Sequence, residues 1–173
     1  MPEQNTITKT TIDLYKIRSK NGAWADITID SNGNAGRIQI ASDFGGWNYY
    51  WGACGNPFKE FLTELDKHYA AGKFGEDRWF DLDDTINLLN DQIKDYTNDK
   101  LLIIELKEEI KELTNTSCKE EFIVTAARCE NVMDMTNHCP DLCTSISPSF
   151  EQFWTKLWPT LIEQLKKEIT QTT

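Results

Sequence analysis

One change of period divides this chain. Through Trp51 its apolar residues recur at every second position; from Phe58 they recur at spacings of three and four. Asn56-Pro57 stands at the change, an N-cap residue followed by proline at the first helical position, where a missing N–H costs nothing. Strands therefore precede helices. A run of strands followed by a run of helices reads as an α+β fold. The expectation is an N-terminal antiparallel β-meander of three to four strands packed against an α-helix, followed by a C-terminal helical bundle. It treats residues 1–173 as a single domain with one continuous core, the sheet within 11–52 and the helices within 57–171.

The strand region has its own punctuation. The polar residues 1–10 either fray or add a short edge strand. Thr11 to Arg18 puts Ile12 and Leu14 on one face and Tyr15 and Ile17 on the other. Asn21-Gly22 predicts a type I′ hairpin. Ala25, Ile27 and Ile29 share one face of the return strand, and Asp30 to Asn34 reads as the next turn. Ile38 and Ile40 point inward on a third strand. Gly45-Gly46 predicts another turn, followed by an aromatic strand with Trp47, Tyr49 and Trp51 inward and Asn48 and Tyr50 outward.

The helical region begins with Pro57–Ala71, stopped by Gly72. Residues 82–114 form one helix or two, with a break or kink near Asn98 favoured, which would allow an antiparallel hairpin. Ser117 and Glu120 match a capping box opening a helix from Cys118 to about Asn137, and Ser149 and Gln152 match a second. The last helix carries the cleanest apolar stripe, from Phe150 to Ile169, and Pro159 predicts a kink within it.

Net charge is −10, concentrated between Glu76 and Glu121. Such a surface repels phosphates, so direct nucleic-acid binding is disfavoured, while a basic protein that itself holds nucleic acid is a fitting partner. No apolar run reaches the length of a membrane span, and the first residues hold no export signal. The expected compartment is the cytoplasm, where the five cysteines stay as thiols.

Three constellations carry candidate chemistry. Asp43, Cys54 and His68 supply the vocabulary of nucleophilic catalysis, with Cys54 just ahead of a helix. No spacing rule brings His68 back to Cys54, and an aspartate placed like Asp43 more often accepts backbone N–H groups in a turn. His138, Cys139 and Cys143 could offer zinc ligands, but paired C-x-x-C spacing is missing. The carboxylates Glu108, Glu109 and Glu112 form no recognisable metal loop; a solvated face or a partner surface explains them better. No phosphate-cradling or dinucleotide fingerprint occurs, so no cofactor is expected. Asn48 and Tyr50 are the outward residues of the aromatic strand and are candidates for partner contact.

Ser42-Asp43-Phe44-Gly45-Gly46-Trp47-Asn48-Tyr49-Tyr50-Trp51-Gly52, followed by the helix through Phe61, Leu62, Leu65 and Tyr69, resembles small proteins encoded by bacteriophages and prophages. The run D-L-D-D-T-I from Asp81 and the ending F-W-T-K-L-W-P-T-L-I-E-Q-L-K-K-E from Phe153 fit the same group. The resemblance spans roughly residues 38–94 and 150–168. It implies an accessory protein acting in the host cell cytoplasm through a host or bacterial defence protein. One concrete form is an acidic, anti-CRISPR-like or other anti-defence inhibitor occupying a nucleic-acid-binding surface. A non-enzymatic interaction protein is thus the favoured class; a small metal-binding or cysteine-dependent enzyme is the alternative.

Overall fold

A computed structural model describes residues 6–172. The expectation for residues 1–5, frayed or added as an edge strand, lies outside the described residues. Four strands follow: β1 (Asp13–Arg18), β2 (Trp24–Asn32), β3 (Ala35–Ser42) and β4 (Gly45–Trp51). They pair in sequence order as an antiparallel meander. The α+β architecture and the four-stranded sheet are as the sequence predicts. So are the faces: Ile17, Ala25, Ile27, Ile29, Ile38, Ile40, Trp47 and Trp51 are buried, whereas Leu14 and Tyr50 are exposed.

The turns differ from expectation. Residues 19–23 form a longer link in which only Gly22 has positive φ, so Asn21-Gly22 is not a type I′ pair. β2 and β3 extend to pair Asn32 with Ala35, leaving Gly33-Asn34 as the turn. Gly45 already belongs to β4, paired with Ser42, and the turn is Asp43-Phe44. The Ser42 hydroxyl organises it by accepting from the amides of Phe44 and Gly45 and donating to the Gly45 carbonyl.

The helix expected over Pro57–Ala71 is two helices, α1 (Phe58–Thr63) and α2 (Lys67–Phe74). Asp66 divides them because its carboxylate accepts from the Tyr69 amide at 3.0 Å, a bond available only from an N-cap. Gly72 lies inside α2, and Gly75 at φ 78° ends it.

The chain comprises two compact units, one of residues 1–76 with 146–173 and the other of Asp77–Ser145. The buried side chains form two clusters, one in each unit. The second unit is an insertion. Its two ends pair as β5 (Trp79–Phe80) and β6 (Thr144–Ser145). Between them run α3 (Leu82–Tyr96), α4 (Lys100–Leu113), α5 (Lys119–Ala126) and α6 (Glu130–Met135). The favoured break near Asn98 is present: Asp99 caps α4 by accepting from the Leu101 amide at 2.8 Å. The single helix expected from Cys118 to Asn137 is instead broken at residues 127–129. The capping box at Ser117 is also different, because Glu121 rather than Glu120 bonds the Ser117 amide and hydroxyl. Leu89, Leu106, Leu113, Phe122 and Val132 are the fully buried centre of this unit.

After β6 the first unit resumes with α7 (Pro148–Lys156) and α8 (Trp158–Thr172). Pro159 predicts the division at Leu157. Ser147, not Ser149, caps α7, with Pro148 at the first helical position. Trp47 packs its ring edge-on to Phe150 at 5.3 Å and against Phe153 at 4.9 Å. Glu76 closes the base of this unit: Trp47 Nε1 and the Ser147 hydroxyl donate to its carboxylate, and the Ser147 amide donates to its carbonyl at 2.8 Å.

A charged cluster joins the first strand to the last helix. Tyr15 donates to Glu168 at 2.8 Å, and Lys59 reaches Tyr15, Glu168 and Asp13 within 3.0 Å. Burial alone would raise the Glu168 pKa, but hydrogen bonds from Gln164, Lys59 and Tyr15 outweigh it and hold the carboxyl below its ordinary value. A depressed folded-state pKa stabilises above the unfolded value and is lost as pH falls through the folded one. Glu168→Gln is therefore expected to lower the melting temperature at pH 7. That difference should shrink once the pH falls below about 4, the ordinary range of a glutamate. Melting curves across that range check it; an equal difference at pH 3 and pH 7 would contradict it.

Candidate functional site

The nucleophilic set is not brought together. Asp43 lies in the β3–β4 turn, where its carboxylate accepts from the Trp24 amide at 3.3 Å. Cys54 follows the far end of β4, so that seven-residue strand separates the two by roughly 20 Å. The Cys54 amide donates to the Asn34 carbonyl at 2.8 Å, and the Phe58 amide donates to the Gly33 carbonyl at 2.9 Å. The loop around Cys54 thus pins the β2–β3 turn. Burial pushes the Cys54 thiol pKa up, the opposite of what a nucleophile needs. His68 is exposed in the first turn of α2, two residues after the capping Asp66.

His138, Cys139 and Cys143 belong to the link between α6 and β6. His138 and Cys139 are exposed, and Asn137 and His138 both take positive φ as they turn the chain out of α6. The amide of Cys143 donates to the Thr85 hydroxyl at 3.0 Å and its carbonyl accepts from Asp81, which fixes the insertion's closing ribbon onto α3. Among the described residues no three of His, Cys, Asp and Glu stand together as a metal would require. Cys129 is buried, and burial together with Glu109 and Glu112 pushes its thiol pKa up to about 11.

Asn48 and Tyr50 do face outward from β4. Arg37, directly across from Tyr50 on β3, lies over its ring at 5.9 Å. Tyr50 also borders an open groove of about 880 Å³ with Lys9, Asp30, Asn32 and Ala35.

The glutamates of α4 separate into two roles. Glu109 is half-buried, and its carboxylate accepts from the Val132 amide at 2.9 Å, the Asn131 side-chain amide at 2.9 Å and the Asn131 backbone amide. It caps α6, whose own N-cap residue Cys129 makes no side-chain capping bond. Glu109 is a structural capping residue. Glu108 and Glu112 are exposed, and Glu105, which sequence reasoning missed, stands with them. These three occupy the outward side of α4, opposite the buried Leu106, Ile110 and Leu113. The signal was present in the spacing: positions 101, 104, 105, 108 and 112 fall on the arc that the apolar stripe leaves free.

Charge is divided unevenly between the units. Asp77–Ser145 carries sixteen acidic and seven basic residues, a net −9; the rest of the chain carries twelve acidic and eleven basic, a net −1. Part of this acidity serves the fold. Asp81 and Asp99 cap α3 and α4, Asp83 and Asp84 sit at the positive end of α3, and Asp91 pairs with Lys94 at 2.7 Å.

No helix among the described residues is long and apolar enough to cross a membrane. Comparison with curated proteins finds no match, and neither does comparison with solved structures. A phage family, phiTE_072, matches residues 5–168, through the sheet, the acidic insertion and the closing helices alike. The match spans most of the chain, and the chain belongs to this phage family.

Proposed function

We propose that this phage protein is a non-enzymatic accessory factor that binds a basic protein of the host or of its defence systems, acting as an anti-defence inhibitor in the host cytoplasm. The observation that supports this reading is the segregation of charge: a 69-residue insertion holds nine of the ten net negative charges. A unit of that charge attracts a lysine- or arginine-rich cleft and speeds encounter with it. Such clefts ordinarily hold nucleic acid, so the protein competes for the surface by presenting carboxylates where phosphates would lie. Outward residues of the sheet, Asn48 and Tyr50, offer a second contact area in the other unit.

Affinity purification of the tagged full chain from infected cells tests this. The expected result is a basic partner released by salt of about 0.5 M, where charges are screened beyond roughly 4 Å. Duplex DNA should displace the same partner. Retention that ignores both salt and DNA, or a captured partner without a basic surface, would sink the proposal.

A further inference from the structure

We infer that the outward face of α4 is the docking strip of the insertion, and that its occupant is an amphipathic basic helix of the partner protein. This rests on the acidic-unit reading above and names the surface and the chemistry that it takes.

Leu101, Ile104, Glu105, Glu108 and Glu112 follow one another at helical spacing and share one side of α4 over about 17 Å. Leu101 is 66% exposed and Ile104 is 55% exposed, an apolar pair at the start of the strip with nothing packed over it. The two sit on the side of α4 opposite its buried residues Leu106, Ile110 and Leu113.

The three glutamates of the strip serve no structural contact of the fold among the described residues. Several exposed acids elsewhere cap helices, occupy first turns or pair with lysines, as in Lys94–Asp91 and Lys167–Glu163. Among the described residues no salt bridge reaches Glu105, Glu108 or Glu112. Glu108 and Glu112 stand four residues apart with like charge, a destabilising arrangement. Glu112 also lies in the last turn, at the negative end of the helix dipole. Local choices that weaken a helix without gain to the fold are expected where function requires them.

Charge selects the occupant. A second copy would bring another strongly acidic insertion to this one and be repelled. A partner helix with two apolar residues followed by arginines or lysines at i+4, i+7 and i+11 fits the strip along its length. The apolar pairs meet at one end and the charges neutralise at the other. Each ion pair is then partly desolvated beside apolar contact, where it is worth more than at an open surface.

The test uses the full chain and two synthetic peptides of identical composition. One carries leucines and arginines in that helical order; the other has them scrambled. Binding is read by fluorescence anisotropy for wild type and three variants. Leu101→Ser/Ile104→Ser and Glu105→Gln/Glu108→Gln/Glu112→Gln should each weaken the ordered peptide by about tenfold. A control that removes the same charge elsewhere on the insertion, Asp95→Asn/Glu120→Gln/Glu130→Gln, should change it less than about threefold. The ordered peptide should bind at least about tenfold tighter than the scrambled one. The α4 glutamine variant should melt at or above the wild-type temperature, which a structural role for these glutamates would not allow. Equal binding of both peptides, or equal loss in the control and the α4 variant, would overturn the strip while leaving the acidic-unit reading standing. No loss in either acidic variant would overturn both.

Discussion

Phe150→Ala is expected to destabilise the first unit by about 3–5 kcal/mol, lowering its melting temperature by roughly 10–20 °C. The side chain is fully buried and its ring meets those of Trp47, Phe74, Phe153 and Trp154 at centroid distances between 5.3 and 6.3 Å. Its removal leaves a cavity walled by four rigid aromatics, which cannot close around a methyl group as aliphatic side chains do. Phe150→Leu keeps most of the volume and should recover more than half of the loss. Chemical denaturation of the three proteins measures this; a loss below about 1 kcal/mol for the alanine variant would mean that the ring cluster is not the keystone described here.

Gly36→Ala is the second large effect, and it acts by crowding. An added Cβ would stand 2.2 Å from Phe58 Cδ1 and 2.5 Å from two other atoms of that ring. Phe58 is itself buried and leaned on by Trp51, so the ring has no room to retreat. The expected cost is about 2–3 kcal/mol. Because the cause is one contact, Phe58→Leu in the same molecule should relieve it. The double variant should be more stable than the two single changes predict by at least about 1 kcal/mol. Additive losses would show that Gly36 matters through its backbone and not through this approach.

What the sequence made legible follows from the range of the interactions involved. Strand faces depend only on alternation within six to nine residues, and Ile27, Ile29, Ile38, Trp47 and Trp51 all lie inward as alternation requires. Turn positions depend on how far neighbouring strands pair. Gly45-Gly46 has the composition of a turn, yet pairing of Gly45 with Ser42 carries it into β4. Helix breaks at Asp66 and Cys129 were illegible because the apolar spacing runs through both. The insertion was hidden for a different reason. Its closure depends on Trp79 pairing with Ser145 and on Glu76 meeting Ser147, contacts between short segments about 70 residues apart.

The candidate site divides in the same way. The acidity of α4 is plain in the sequence, and Glu108 and Glu112 are exposed as a solvated or binding face demands. Glu109 could not be separated from them without knowing that Asn131 and Val132 stand beside it. Leu101 and Ile104 were masked by their neighbours Leu102 and Ile103, which turn toward the core of the insertion.

The placement of the insertion also sets an order in time. Trp47 is made long before Phe150 and Phe153, and Tyr15 precedes its partner Glu168 by 153 positions. During synthesis α1 and α2 can cover the Trp51 end of the sheet early, but the Trp47 end waits for its partners. The insertion, whose strand pairing and core all lie within Asp77–Ser145, has every partner it needs beforehand. Closing so long a loop adds little to the equilibrium cost but slows the search for contact. The acidic unit is thus expected to be complete on the ribosome before the first unit, whose sheet gains its last cover only when α7 and α8 arrive.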